Sequence, residues 1–239
     1  MSNKISLYRG LVLMAISLLL WNVPVTHAYL KTVDVEFAKL LNLTLDNKIA
    51  ARIVAFLNMK FESYANAAAL LSITVFYILS SKEKVKSLSN VVLLWVYLNI
   101  CFGLKKYIII DLLDISRDSP SMSIDGFTRV SEMFPQDKIK DSSNRSFLGD
   151  HAFAMFFWIF FSIRFMPKKY FMIITPVAVF FSLPRMFSGA HWLSDTLFAI
   201  FLADFLTHLV TSTFLFELLR DKIKKLLLAS LSFCNLAKK

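Results

Sequence analysis

Residues 149–187 read GDHAFAMFFWIFFSIRFMPKKYFMIITPVAVFFSLPRMF, which is two apolar runs separated by Pro167-Lys168-Lys169. Each run is close to the roughly 20 residues that an α-helix needs to cross the hydrocarbon core of a bilayer. A short basic break of this kind is typical of a turn at a membrane surface. The pattern predicts two consecutive transmembrane helices, at 149–166 and 170–187.

The composition extends this interpretation to the whole chain. Of its 239 residues, 56% are apolar and 24 are Phe, whereas soluble domains have about 45–50% apolar residues. The apolar runs predict six spans in all, at about 10–28, 64–80, 90–113, 149–166, 170–187 and 193–219. The sequence therefore predicts an all-α integral membrane protein, with six transmembrane helices forming one bundle over residues 1–239.

The first apolar run allows two interpretations. Lys4 and Arg9 precede it and Thr26-His27-Ala28 follow it, a pattern that also fits a cleavable secretory signal peptide. A retained first helix is the simpler interpretation because five more apolar runs follow.

The placement of basic residues predicts the orientation. The net charge of +10 is concentrated in short clusters between apolar runs, which indicates loops facing anionic lipids and argues against a nucleic-acid surface. With six spans, one side carries the N-terminus, 82–86, 168–169 and the C-terminal tail. By the positive-inside rule this side is the cytoplasm, and 226–236 is expected to be an interfacial helix there. The outward segments are 29–62, which contains amphipathic surface helices, 114–148 and 188–192.

Ionisable residues gather on the predicted outer side. The loop 114–148 is long and rich in charge, which fits either a functional loop or a solvated one. His151 lies at the start of span four, and His191 lies between spans five and six with Asp195 four residues later. Positions i and i+4 share a helix face, so we expect Asp195 to reach the His191 imidazole. Ionisable groups at span ends indicate function, whereas helix packing is the favoured interpretation of His208 and Asp204.

These residues predict phosphoryl transfer. If Asp195 accepts the Nδ1–H of His191, Nε2 is left as a nucleophile that attacks phosphorus and forms a phosphohistidine. Guanidinium groups match phosphate oxygens, so Arg117 and Arg185 are expected to bind the phosphate. His151 is expected to protonate the leaving group.

Further donors are expected at the N-terminus of span four. Backbone N–H groups of Gly149 and Asp150 lie at the positive end of that helix, where anions bind. No metal or cofactor is required. Cys101 and Cys234 offer neither a metal-binding spacing nor a disulfide framework.

The motif spacing resembles that of the type 2 phosphatidic acid phosphatases and their haloperoxidase relatives. Their third motif is Ser-Arg, five residues, His, three residues, Asp. Arg185, His191 and Asp195 fall at those positions, with Pro184 in place of the serine. The second motif, Pro-Ser-Gly-His, corresponds to residues 148–151.

The first motif of that family is Lys, six residues, Arg-Pro. Its arginine corresponds to Arg117, but Ile110 stands at the lysine position. Lys106 lies eleven residues before Arg117, on nearly the same helix face, and is the candidate replacement.

Four short pieces resemble the branch of this family that phosphorylates lipid A. They are Pro24-Val25-Thr26-His27, Arg129-Val130-Ser131-Glu132, Gly149-Asp150-His151 and Gly189-Ala190-His191-Trp192. The resemblance implies transfer of the terminal phosphate of undecaprenyl diphosphate to the 1-phosphate of lipid A at the periplasmic face. Lys106, Arg129 and Arg145 are then candidate contacts for the acceptor or the phosphate.

Two alternatives stay open. The same residues also fit a phosphatase of lipid or polyprenyl phosphates, since water in place of the acceptor gives hydrolysis. A non-enzymatic membrane protein such as a transporter is the other alternative, although transporters tend to place paired ionisable groups near the bilayer midplane.

Overall fold

The computed structural model describes residues 3–107 and 115–236. Within these residues the chain forms twelve α-helices, one 3-10 helix (Leu43–Asp46) and no β-strand, which confirms the all-α prediction for this part of the chain. The α-helices are α1 (Asn3–Asn22), α2 (Pro24–Asn42), α3 (Lys48–Phe56), α4 (Lys60–Ser80), α5 (Lys84–Lys106), α6 (Pro120–Ser123), α7 (Val130–Met133), α8 (Asp150–Phe165), α9 (Lys168–Ser182), α10 (Pro184–Phe187), α11 (Leu193–Thr211) and α12 (Phe214–Leu236).

Several helices have the length and apolar composition of membrane spans. Among the described residues, three stretches are long and apolar enough to cross a membrane: Lys84–Lys106, Lys168–Phe187 and Leu193–Thr211. The bent pair α1 and α2 adds a fourth if it forms one span. The predicted span at 149–166 is helical, but its helix α8 has only 16 residues. The predicted span at 64–80 lies within α4, whose apolar part, Tyr64–Ser80, is also shorter than those three stretches. Six spans therefore remain a prediction.

The predicted first span is broken in the structure. Pro24 opens α2, and the axes of α1 and α2 differ by 94°. Pro fixes its own φ and lacks an N–H group, so it starts a helix more readily than it continues one. The Thr26 hydroxyl donates to the Leu20 carbonyl at 3.0 Å, and His27 Nδ1 lies 3.1 Å from the Trp21 carbonyl oxygen. These two side chains bond carbonyl groups at the end of α1.

The predicted sixth span is also shorter than expected. Its helix α11 ends at Thr211, and α12 begins at Phe214. Thr213 caps α12, because its hydroxyl accepts the Phe216 N–H at 3.2 Å. Phe216 then stacks on Phe165, with 5.0 Å between ring centroids. The expected interfacial helix at 226–236 is the second half of α12. Of the predicted span 90–113, residues 108–113 lie outside the described residues, and its helix α5 begins earlier, at Lys84.

The central helix is α8, which packs against α5, α9 and α11. Its side chains Phe153, Phe157, Trp158 and Phe161 are fully buried. Burying each such side chain contributes about 1.5–3 kcal/mol relative to exposure. Because large aromatic groups fill the contacts on several sides, the N-terminus of α8 is fixed relative to the ends of its neighbours.

An ion pair joins α1 to α11. The Arg9 guanidinium donates to both carboxylate oxygens of Asp204, at 2.7 and 2.8 Å from Nη2. His208 Nδ1 lies 3.3 Å from Asp204 Oδ1, one turn further along α11. Gly10 permits this close approach, because a Cβ there would lie 3.0 Å from the Phe205 Cα.

One end of the bundle collects the predicted outer segments. There the C-terminus of α5 meets the N-terminus of α8, and α10 meets α8 through Arg185 and His151. The basic segments Lys82–Lys86 and Lys168–Lys169 lie at the opposite ends of these helices. The two groups of residues are therefore separated by the length of α8.

Candidate active site

A cavity lined by charged side chains opens at the end of the bundle where α5 ends and α8 begins. Its volume is about 440 Å³. Five cationic side chains and one carboxylate contribute to its wall, together with two histidines and two serines. The lining residues are Phe102, Gly103, Lys105, Lys106, Lys140, Ser142, Ser143, Arg145, Phe147, Leu148, Asp150, His151, Arg185, Ala190 and His191.

His191 lies in the turn between α10 and α11. The turn depends on Gly189, whose φ is +74° and where a Cβ would come within 2.4 Å of the Phe127 ring. The Nδ1 atom of His191 lies 2.9 Å from the Ser146 carbonyl oxygen. A carbonyl can only accept, so Nδ1 carries the proton and Nε2 of the neutral ring holds a lone pair.

The protonation state of His191 fits this tautomer. Burial lowers its pKa from the ordinary 6.5 to about 4, the Ser146 carbonyl opposes that shift, and the nearby positive charge of Arg185 adds to it. The imidazole is therefore neutral at neutral pH. It presents the form that a nucleophilic histidine requires.

Asp195 does not orient His191, contrary to the sequence prediction. The helix α11 begins at Leu193, so His191 precedes it and the i, i+4 relation does not apply. Asp195 instead accepts the Trp192 backbone N–H on Oδ2 at 3.1 Å, which caps the helix. Its other oxygen accepts from Arg117 at 3.1 Å. The backbone carbonyl of Ser146 takes the orienting place that was predicted for the carboxylate.

Arg117 also lies elsewhere than its predicted role requires. It does not line the cavity; its guanidinium donates to Asp34 Oδ2 at 2.6 Å and to Ser194 Oγ at 2.8 Å. The same group stacks over the Trp192 ring, 4.6 Å from the centroid. Asp34, which sequence reasoning missed, is a buried carboxylate on α2.

Arg185 and His151 face each other on the cavity wall. Arg185 donates through Nη1 to the Lys140 carbonyl at 3.0 Å, and its Nη2 lies 3.3 Å from His151 Nε2. A guanidinium group only donates, so His151 Nε2 accepts here and carries no proton. In this arrangement His151 has no proton on Nε2 to donate, which differs from the acid role expected for it.

Lys105, which was not predicted, is a buried cation of the cavity, as Arg185 is. Its Nζ donates to the Leu148 carbonyl at 2.7 Å and pairs with the Asp150 carboxylate. The sequence pattern does indicate its burial. Leu94, Leu98 and Cys101 form a buried stripe at helical spacing, and Lys105 lies at the next position of that stripe. Lys106 also borders the cavity but is exposed.

Gly149 and Asp150 form the start of α8. Gly149 precedes the first helical residue, and a Cβ there would lie 3.6 Å from the His191 ring, in ordinary van der Waals contact. The ring of His191 therefore packs directly against this backbone. The Asp150 side chain is 70% exposed while it holds Lys105.

The two remaining candidate arginines differ in placement. Arg145 is exposed on the cavity wall. Arg129 is not among the lining residues: it lies 3.4 Å from an Asp141 oxygen and donates to Ser142 Oγ at 3.2 Å. Lys140, Ser142 and Ser143 complete the polar wall and were not predicted. Within the part of the chain that the structure describes, no cluster of three or more metal-ligating side chains is found.

The cavity belongs to a recognisable class of domain. Residues 114–219 match the PAP2 superfamily, so this part of the chain is a PAP2 superfamily domain. The match includes Arg117, His151, Arg185, His191 and Asp195. The matched part of the chain is thus similar to phosphatases and phosphotransferases of that superfamily.

One curated relative covers more than this domain. The chain is 26% identical over 177 residues to lipid A 1-diphosphate synthase of Escherichia coli strain K12, an alignment that spans 73% of each chain. No solved structure gives a significant match.

Proposed function

We propose that the chain transfers the terminal phosphate of undecaprenyl diphosphate to the 1-phosphate of lipid A through a phosphohistidine on His191. The observation that carries this proposal is the neutral His191, whose Nδ1–H is bound to the Ser146 carbonyl at 2.9 Å at the edge of a cationic cavity. The fixed Nδ1 leaves Nε2 as the only ring atom able to attack phosphorus.

The first step exchanges one bond to phosphorus for another. Nε2 of His191 attacks the terminal phosphorus, and the bond from that phosphorus to the bridging oxygen breaks, so undecaprenyl phosphate leaves. Lys105 and Arg185 lie on the cavity wall and supply positive charge for the non-bridging oxygens, on which negative charge is spread in the transition state. No step requires a redox change.

The second step returns the lone pair to His191. An oxygen of the lipid A 1-phosphate attacks the phosphohistidine, the N–P bond breaks, and a diphosphate forms on the acceptor. A phosphate leaving group has a second pKa of about 6 and needs little protonation, so the reaction does not require His151 as an acid. The His151 Nε2 atom accepts an Arg185 N–H at 3.3 Å, and through this contact His151 helps to hold the Arg185 guanidinium at the cavity.

The charge of the cavity favours transfer between two phosphorylated lipids. A phosphomonoester carries about −1.5 to −2 charge at neutral pH, and two such ligands match the five cations of the wall better than one does. Lys106, Lys140 and Arg145 are exposed and are positioned to hold the acceptor phosphate. Water attacking the same intermediate would give hydrolysis.

We also propose that the cavity faces the periplasm. The support is the separation of the cavity from the basic segments Lys82–Lys86 and Lys168–Lys169 by the length of α8. Basic segments of this kind stay in the cytoplasm, which leaves the cavity on the outer side.

One assay tests the reaction. The purified full-length chain is given undecaprenyl diphosphate labelled at the terminal phosphate, with and without lipid A. Labelled lipid A supports the proposal, whereas free phosphate with no transfer identifies a hydrolase. The matched control is His208→Gln, which changes a histidine outside the cavity and is expected to transfer at the normal rate.

A further inference from the structure

Arg117 is held in a buried set of contacts behind the cavity wall. Asp34 of α2 accepts from Arg117 at 2.6 Å and from the Ser194 hydroxyl and backbone N–H at 2.6 and 2.9 Å. The carboxylate of Asp34 is 2% exposed, and that of Asp195, on the other side of the guanidinium, is fully buried. Two buried carboxylates therefore fix the Arg117 side chain, which is not among the residues that line the cavity.

The backbone of Arg117 is joined to the cavity wall. Its carbonyl oxygen accepts both the backbone N–H and the hydroxyl of Ser146, at 2.8 and 3.0 Å. Two residues further on, the Ser119 backbone N–H donates to the Ser143 carbonyl at 2.8 Å, and the Ser119 hydroxyl accepts the Ser143 N–H at 3.0 Å. The segment 117–119 thus pairs with the segment 143–146.

The paired segment is the one that orients His191. The Ser146 carbonyl accepts Nδ1–H of His191 at 2.9 Å, and the adjacent residues Ser142, Ser143, Arg145 and Phe147 line the cavity. A continuous chain of contacts therefore runs from the Asp34 carboxylate through the side chain and carbonyl of Arg117 to Ser146 and then to the imidazole.

We propose that Asp34 and Arg117 are positioning residues: together they fix the Ser146 carbonyl that holds His191 in the Nδ1–H tautomer with Nε2 toward the cavity. This inference rests on the proposed function in that His191 is taken as the nucleophile. It assigns a role to α2, which lies outside the matched PAP2 domain. It also gives Arg117 a role other than contact with phosphate.

Kinetics separate the two roles of Arg117. A residue that positions the nucleophile lowers kcat and leaves KM nearly unchanged, whereas a residue that binds the substrate phosphate raises KM. For Asp34→Asn and for Arg117→Gln we expect kcat to fall about 10- to 100-fold, the range typical of a displaced reacting group. The double variant should lose no more than the worse single variant, because both act through one contact chain.

The matched control is Glu36→Gln. Glu36 lies on the same helix as Asp34 but its side chain is 67% exposed and pairs only with Lys39 among the described contacts. It is expected to keep full activity. If Asp34→Asn does not fold, Ser194→Ala removes one of the partners of Asp34 while keeping its ion pair with Arg117, and it should show a smaller loss of kcat.

A substrate-free measurement tests the positioning directly. The chain has four histidines, so the full-length protein labelled with ¹⁵N-histidine gives few signals, and a His191→Gln sample assigns one of them. Wild type and Glu36→Gln should show His191 protonated at Nδ1. Asp34→Asn and Arg117→Gln should show a mixture of tautomers at His191 while the signals of His27 and His208 stay unchanged.

The outcomes distinguish this inference from the proposed function. An unchanged His191 tautomer in both variants, or a raised KM with kcat retained, would overturn the positioning role. If wild type turns over neither donor nor acceptor but the tautomer shifts in the variants as expected, the proposed reaction is wrong and the positioning chain stands.

Discussion

Two pairs of Asp and His with the same spacing lie at the two ends of α11, and they differ in structure. Asp204 and His208 both lie within the helix, and their side chains approach to 3.3 Å, as positions i and i+4 do. His191 precedes the helix and Asp195 lies inside it, so this pair does not meet. Spacing predicts a contact only where both residues share one helix.

The surroundings of the two histidines differ as well. Asp204 is bound by Arg9 through both carboxylate oxygens, and His208 Nδ1 lies 3.0 Å from the carbonyl of its own helix. His191 is bound through a carbonyl from a distant loop and borders a cavity of about 440 Å³. The first set joins two helices, and the second leaves one nitrogen available for chemistry.

The largest expected difference between the two pairs is in turnover. His191→Gln should lower phosphate transfer by about a thousandfold or more, because the nucleophile is removed. His208→Gln should stay within about twofold of wild type, since that side chain touches no part of the cavity. The measurement is transfer of label from undecaprenyl diphosphate. Equal losses in both variants would remove the distinction between the two histidines.

The next largest effect is expected at the two neighbouring lysines. Lys105→Met should lower kcat/KM by about 100-fold, as the loss of a preorganised donor to a developing charge does. Lys106→Met should cost about threefold or less because exposed charges are screened. Steady-state kinetics with both variants decide this point. A larger loss of kcat/KM for Lys106→Met than for Lys105→Met would support Lys106, the lysine that the sequence favoured.

The pH dependence tests the neutral state of His191. Its folded pKa is lowered to about 4, so the ring is unprotonated above that value. The single-turnover rate of phosphoenzyme formation should therefore be flat from about pH 5.5 to 7.5 and should fall as the pH decreases toward about 4. A midpoint near the ordinary value of 6.5 would show that the protein does not desolvate this ring.

The smallest effect is expected for the pair within α11. Asp204→Asn should lower stability by about 1 kcal/mol, a small value because the side chain of Arg9 is 46% exposed. For a chain of this size that corresponds to about 2–4 °C in Tm. Thermal unfolding in detergent measures it, and transfer at the normal rate in the folded variant is the second expected result. A large loss of activity without a change in Tm would assign this pair a catalytic role.

The apolar runs predicted many of the helices correctly. The predicted helix ends are wrong where a single residue with special local chemistry interrupts a run. The first run is broken by Pro24, with Thr26 and His27 bonding the exposed carbonyls. The last is broken before Phe214, where Thr213 caps the next helix. Hydropathy averages over such single residues. Caps and proline therefore set the ends of helices that apolar composition alone joins together.

Only part of the candidate site could be predicted from the sequence, because the apolar runs locate residues near the ends of spans but not residues brought in by packing. His151, Arg185 and His191 could be grouped because each is near the end of a predicted span. To predict Lys105 one must know which face of α5 points into the bundle. To predict Asp34 one must know that α2 packs on α11, which depends on contacts between residues distant in sequence. Arg117 was expected to bind phosphate because of its guanidinium group and its place in the predicted outer loop, but two buried carboxylates hold it.

The most direct test is the site of the covalent phosphate. The full-length chain is mixed with labelled undecaprenyl diphosphate without lipid A, quenched in alkali within one turnover, and examined by peptide mapping and by ¹⁵N–³¹P coupling in histidine-labelled protein. The structure predicts phosphorus on Nε2 of His191, because Nδ1 is bound to the Ser146 carbonyl. Phosphate on Nδ1, on another residue, or turnover with no phosphoenzyme would contradict the mechanism.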